Sequence, residues 1–155
     1  GVEDIVVVTG AESEKVTEIA TGFGGKAVFN PDFSQGEMLS SLQAGLRALL
    51  SETAAEAALI CLGDQPQVQA KSVEMVIEQF WTTKRGLVVP SYQMRRGHPW
   101  LVARQYWKAI LAMPPSASPR DFLRQYADEI EYVVVPTPDV LSDLDTPEDY
   151  LKSRP

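Results

Sequence analysis

Three aspartates stand where no local structural task claims them. Asp64 ends the apolar run Leu59-Ile60-Cys61-Leu62, and Asp143 and Asp145 lie in a loop just ahead of a helix start. Carboxylates from separate loops at one edge of a parallel sheet can hold Mg2+, which keeps several waters and takes its other ligands from phosphate oxygens. Arg95 and Arg96, adjacent in a polar stretch, add planar donors suited to a phosphate. These are the parts of a phosphoryl or nucleotidyl transfer site. A serine triad cannot be assembled, because His98 is the only histidine and no Gly-x-Ser-x-Gly elbow occurs. Plainer roles stand beside these. An acid after a strand is more often solvated, and a lone loop histidine is more often bonded to backbone.

Positioning such residues requires an alternating fold. Asp4-Ile5-Val6-Val7-Val8-Thr9-Gly10 and Leu59 to Leu62 read as strands buried on both faces of a parallel sheet. Ligands gather at the carboxyl ends of such strands, where Asp64 falls. A short helix is expected from Glu12 to about Thr21, then a Gly22–Gly25 connector and a strand over Lys26–Asn30. The glycine cluster precedes a strand, which is the wrong order for a phosphate cradle. Leu39, Leu42, Leu46, Leu49 and Leu50 mark the clearest amphipathic helix, with Ser40 and Ser41 in its first turns. Those serines either fill polar positions at a helix start or meet a ligand there. Further elements are a helix over Lys71–Trp81, a strand over Gly86–Pro90, a polar loop from Ser91 to Trp100, and a strand at Leu101–Ala103. Helices near Gln105–Ala112 and Arg120–Tyr126 and a strand over Ile130–Val135 complete the set. Thr146 and Pro147 then suit the cap and first position of a closing helix, and Asp149 lies three residues beyond the cap. The alternation implies an α/β fold with a mostly parallel sheet.

A chain of 155 residues, 45% hydrophobic and 23% charged, is expected to form one domain over 1–155. The formal net charge of −7 argues against general nucleic-acid binding, which needs clustered cations. No apolar run approaches the roughly 18 residues of a membrane span, and no basic-then-apolar leader opens the sequence. No nucleic acid, no membrane and a cytoplasmic location are the expectations. The single cysteine, Cys61, is read as a small buried hydrophobe of its strand.

The motifs also occur in a telling order: Asn30, Gly36, Ser40-Ser41-Leu42 and Gly45-Leu46; Gly63-Asp64-Gln65-Pro66; Arg96-Gly97-His98-Pro99; Asp143-Leu144-Asp145-Thr146-Pro147-Glu148-Asp149. Over nearly the whole chain this resembles nucleotidyltransferases of the molybdenum-cofactor cytidylyltransferase type, within the wider NTP-transferase superfamily. The resemblance implies a three-layer, Rossmann-like fold, with helices on both faces of a mostly parallel sheet. It implies Mg2+-dependent transfer of a nucleotidyl group, CMP from CTP, to a phosphorylated small-molecule acceptor such as molybdopterin. Asp64 would then ligate Mg2+ on the triphosphate. One of Asp143 and Asp145 would complete the metal site, with Asp145, nearest the helix start, favoured as the second catalytic acid. Ser40 and Ser41 would contact the nucleotide, and Arg96, Gly97 and His98 the acceptor. The acceptor phosphate would attack the α-phosphorus in line and expel pyrophosphate, with no strong base required.

In one respect the sequence departs from the family pattern. The family opens with a strand, a Gly-rich loop that cradles the triphosphate, and a helix; from Gly1 this sequence begins at what resembles the family's second strand. With that first strand-loop-helix missing, the chain as given is expected to bind nucleotide poorly and to be inactive. An uncovered sheet edge would be closed by strand pairing or by self-association. Two further readings are a non-catalytic binding or regulatory module of the same fold, and a sugar-nucleotide-dependent glycosyltransferase using Asp143-Leu144-Asp145 as an Asp-x-Asp metal motif.

Overall fold

The computed structural model describes residues 2–34, 38–144, 146, 148 and 151. In chain order its elements are β1 (Val6–Thr9), α1 (Ser13–Gly22), β2 (Lys26–Phe29), α2 (Met38–Glu52), β3 (Ala57–Ile60), α3 (Ala70–Thr83) and β4 (Leu87–Tyr92). Then follow β5 (Arg95–Arg96), β6 (Trp100–Ala103), α4 (Arg104–Leu111), α5 (Pro119–Gln125) and β7 (Ile130–Val134), with 3-10 turns at Ala127–Glu129 and Pro138–Leu141. They fall into two compact units, residues 1–56 with 104–126, and 57–103 with 127–155. Of the expected closing helix, Pro147 and Asp149 lie outside the described residues, and the expected cap Thr146 is exposed. Among those described, no helix is long and apolar enough to cross a membrane.

In the first unit β1 and β2 pair in parallel, Val6 opposite Lys26 and Thr9 opposite Phe29, joined through α1 as a βαβ crossover. The glycine connector ends α1: Gly24 takes φ +78, where a Cβ is costly, and the Gly25 N–H bonds the Ala20 carbonyl at 2.8 Å. The leucine stripe does form α2, with Leu39 and Leu46 almost wholly buried. Helix α2 packs against β1, β2 and α4. Helix α5 starts with a full capping box, in which Ser118 and Asp121 bond each other's backbone N–H and Pro119 sits at its first position.

The second unit holds a five-stranded sheet in the order β3-β6-β4-β5, with β7 also on β4. Strand β4 is parallel to β7 and antiparallel to β5 and β6, and β6 is antiparallel to β3. Thus β3, β4 and β7 share one direction while β6 runs against them. Leu87 to Pro90 are buried, as expected of a central strand. Around them Val76 of α3, Leu101, Val133, Val135 and Val140 form the core.

Strand β3 departs from its expected form. It ends at Ile60 instead of Leu62, is only half-buried at three of its four residues, and pairs antiparallel. A short apolar run fits either pairing sense, and the partner here is the reversed strand β6. Cys61 therefore lies past the strand and is exposed, not a core residue. Desolvation of its sulfur still raises the thiol pKa, which disfavours a nucleophilic thiolate. The polar loop expected after Ser91 is instead a hairpin turning at Gln93 and Met94, both with positive φ (47° and 65°). Such two-residue turns need that backbone, and the usual Asn-Gly signal is absent.

Arg104 closes the end of α2. Its guanidinium donates to the carbonyls of Thr53, Ala55 and Leu50 at 3.0, 3.0 and 3.3 Å and stacks on Trp107. Replacing it with Met leaves these carbonyls short of donors. Chemical denaturation is expected to register a loss of about 2 kcal/mol. Lys, a point charge without the fork, should restore only part of that.

Candidate functional site

Beyond β3 the chain turns sharply, the Gln65 N–H bonding the Leu62 carbonyl at 3.3 Å, and this leaves Asp64 exposed. The loop carrying Asp143 returns to the same place. The Leu144 N–H donates to the Asp64 backbone carbonyl at 2.8 Å, and Gln65 Nε2 donates to Asp143 Oδ1 at 2.5 Å. Two residues 79 positions apart by number, Asp64 and Asp143, are thus brought to neighbouring backbone positions. Both are exposed, whereas Gln65 is only 6% exposed. Asp145 lies outside the described residues. Among those described, no group of three or more His, Cys, Asp or Glu side chains is gathered as a metal cage.

A residue that the sequence reading passed over fixes this loop. Asp139, 6% exposed, accepts hydrogen bonds from the Gln69 N–H (2.8 Å) and Ser72 Oγ (2.9 Å) at the start of α3, and from Thr137 Oγ1. Burial pushes its carboxyl pKa up, but the donors at Gln69, Thr137 and Ser72 outweigh that, and the net shift is downward. An Asp after Pro in a polar stretch looks like an ordinary surface turn. Nothing in it announces a buried acid.

Next to Asp139, Val140 is fully buried and anchors the Arg96-Gly97-His98 segment. The His98 N–H donates to the Val140 carbonyl at 2.9 Å, and the Gly97 N–H to the Pro90 carbonyl at 2.9 Å. A Cβ on Gly97 would sit 2.3 Å from the Val140 oxygen, so only glycine fits this approach. Arg96 is exposed and lies over the Tyr132 ring, 5.4 Å from its centroid. The acidic loop and the Arg96–His98 segment are therefore linked through Val140, and the acidic loop and Asp64 through Leu144.

Ser40 and Ser41 belong to the first unit. Both accept from Asn30 Nδ2, at 2.9 and 3.1 Å, while Asn30 Oδ1 accepts from the Asp32 N–H. Asn30 is 2% exposed at the end of β2, and buried Thr9 at the end of β1 bonds Ser13 through its hydroxyl. A polar cluster at the carboxyl ends of two parallel strands is where α/β folds place ligands. The two serines also have a structural task there, holding the Asn30 amide.

The architecture is that of an α/β nucleotidyltransferase. Among solved structures, the chain is similar to the Rv0371c protein of Mycobacterium tuberculosis H37Rv in complex with manganese, at 20% identity and a TM-score of 0.75, covering 98% of this chain and 78% of that one. It is similar to a nucleotidyl transferase from Methanothermobacter thermautotroptrophicus at 21% identity and a TM-score of 0.76, over 98% and 72%. It is also similar to the molybdopterin-guanine dinucleotide biosynthesis protein A of Archaeoglobus fulgidus at 13% identity and a TM-score of 0.59, over 95% and 75%. No curated protein matches the chain. The MobA-like NTP transferase domain model matches residues 1–130, and the chain belongs to that family. Its class of reaction is nucleotidyl transfer.

Two outcomes are expected of the scaffold. Gly97→Ala should lower stability by about 1–3 kcal/mol, read from denaturant midpoints, because the Val140 backbone must yield. Asp139 gives a pH signature. Its folded-state pKa lies below the ordinary 3.8, so its contribution is present above that value and is lost as pH falls through the folded pKa. Asp139→Asn should therefore be less stable than the parent at pH 7, and the gap should shrink as unfolding is measured toward pH 3.

Proposed function

We propose that this chain supplies the acidic loops of a nucleotidyltransferase that moves CMP from CTP to a phosphorylated acceptor, with a pterin phosphate as the favoured acceptor class. The observation that carries the reading is the joining of the two acidic loops, Leu144 N–H on the Asp64 carbonyl and Gln65 on Asp143. Asp64 and Asp143 offer hard carboxylate oxygens of the kind Mg2+ takes, and one Asp143 oxygen stays clear of the Gln65 bond. The donor set fits a divalent cation, and Mg2+ is the ion proposed. Asp145 is assigned to the same site by the family resemblance.

When bound, such a cation would offset the charge that develops on the transferring phosphoryl group. The remaining work falls to the chain. The Leu144 N–H bond to the Asp64 carbonyl holds the two acidic loops together, and Gln65 holds one Asp143 oxygen. Arg96 presents its guanidinium from the ring of Tyr132, and the Arg96-Gly97-His98 segment is assigned to the acceptor phosphate. Ser40 and Ser41 are assigned to the nucleotide. An acceptor phosphate is already anionic, so the chain has no proton to remove and needs to orient the attack.

Calorimetric titration of the chain with CTP and with GTP, each with and without Mg2+, tests this. Weak Mg2+-dependent binding that favours CTP is expected, and Asp64→Asn should abolish it. Equal binding of both nucleotides would remove the cytidine assignment. Unchanged behaviour of Asp64→Asn would remove the site.

A further inference from the structure

We infer that Gln65 is a positioning residue, whose buried side-chain amide sets the orientation of the Asp143 carboxylate for cation binding. The inference rests on the assignment of Asp64 and Asp143 as cation ligands and goes one step behind it. Asp143 is exposed, and an exposed carboxylate on a loop samples several rotamers. Here one oxygen is taken by Gln65 Nε2 at 2.5 Å, and the donor comes from a residue that is 6% exposed, held by packing. The amide orientation is unambiguous, because a carboxylate accepts and only the nitrogen end donates.

The other end of the same amide strengthens the case. Gln65 Oε1 is buried and has no hydrogen-bond partner among the described residues. An unpaired buried carbonyl costs stability, and a leucine of similar reach would fill the space without that penalty. Packing alone therefore does not account for an amide at this position. The bond to Asp143 does. A neutral donor also adds no positive charge beside the acid, which an arginine or lysine in the same place would. Groups that orient a metal ligand from behind typically matter by tenfold or more in metal affinity.

The test is a titration of the full chain with Mn2+, the free ion followed by electron paramagnetic resonance. Parent, Asp64→Asn, Gln65→Leu, Asp143→Ala and the Gln65→Leu/Asp143→Ala double variant are compared. Asp64→Asn and Gln65→Leu should each weaken binding about tenfold or more. The double variant should bind no worse than Asp143→Ala alone, because Gln65 acts through that carboxylate. Should the parent fail to bind Mn2+, or Asp64→Asn match it, the cation-site assignment itself fails. If Asp64→Asn weakens binding but Gln65→Leu does not, the site stands and the role of Gln65 is overturned. A further loss from Gln65→Leu in the Asp143→Ala background overturns it as well, since the amide would then act on the loop generally. Gln65→Met serves if the leucine variant does not fold. Independently, Asp143→Ala should melt about 3 °C or more below the parent, since it strands a buried donor. An unchanged melting temperature would count against the bond.

Discussion

The second unit depends on the buried charge of Asp139. A carboxylate taken out of water is costly unless several donors meet it, and the N–H of Gln69 and the hydroxyls of Ser72 and Thr137 do so. Meeting that demand fixes the turn at Pro138–Leu141 against the start of α3, two segments some 70 residues apart. Once the turn is fixed, Val140 enters the core beside Val76 and Val133, and its carbonyl receives the His98 N–H. The next residues of the chain then arrive at Asp64. A single satisfied acid thus locates the acidic loop, the Arg96–His98 segment and, through α3, the sheet beneath them.

Much of this order was legible in the sequence, and what was not has definable causes. Periodicity found α2 and α3, because one apolar stripe of several turns leaves few alternatives. The fully buried run of β4 was equally plain. Strand β3 was found but placed in the wrong pairing sense, since four apolar residues carry no record of which neighbour lies beside them. The hairpin at Gln93–Met94 escaped because neither residue is one that usually adopts positive φ. Of the candidate site, the placing of Asp64 and Asp143 in one site was implied by the resemblance, whereas Asp139 did not stand out and Gln65 stood in a motif without an assigned task. Their roles come from partners 67 to 78 positions away, and no local spacing encodes such a contact.

Asp139 and Asp143, four residues apart, illustrate how burial divides the tasks of like groups. Asp139 is surrounded by donors and its charge is spent inside the fold, which is why its pKa is held down. Asp143 receives one neutral donor and otherwise faces solvent. Its charge remains available. The short 3-10 turn that contains Asp139 leads directly into the stretch that carries Asp143.

The choice of partner for Asp143 bears on what the site can bind. Where two acids lie at neighbouring backbone positions, a folded chain can set a basic side chain against them. No ion pair among the described residues involves Asp64 or Asp143; Arg96 lies over Tyr132 instead. A base set against them would have to be displaced by any cation that the proposed site takes. An amide fixes direction without offsetting charge.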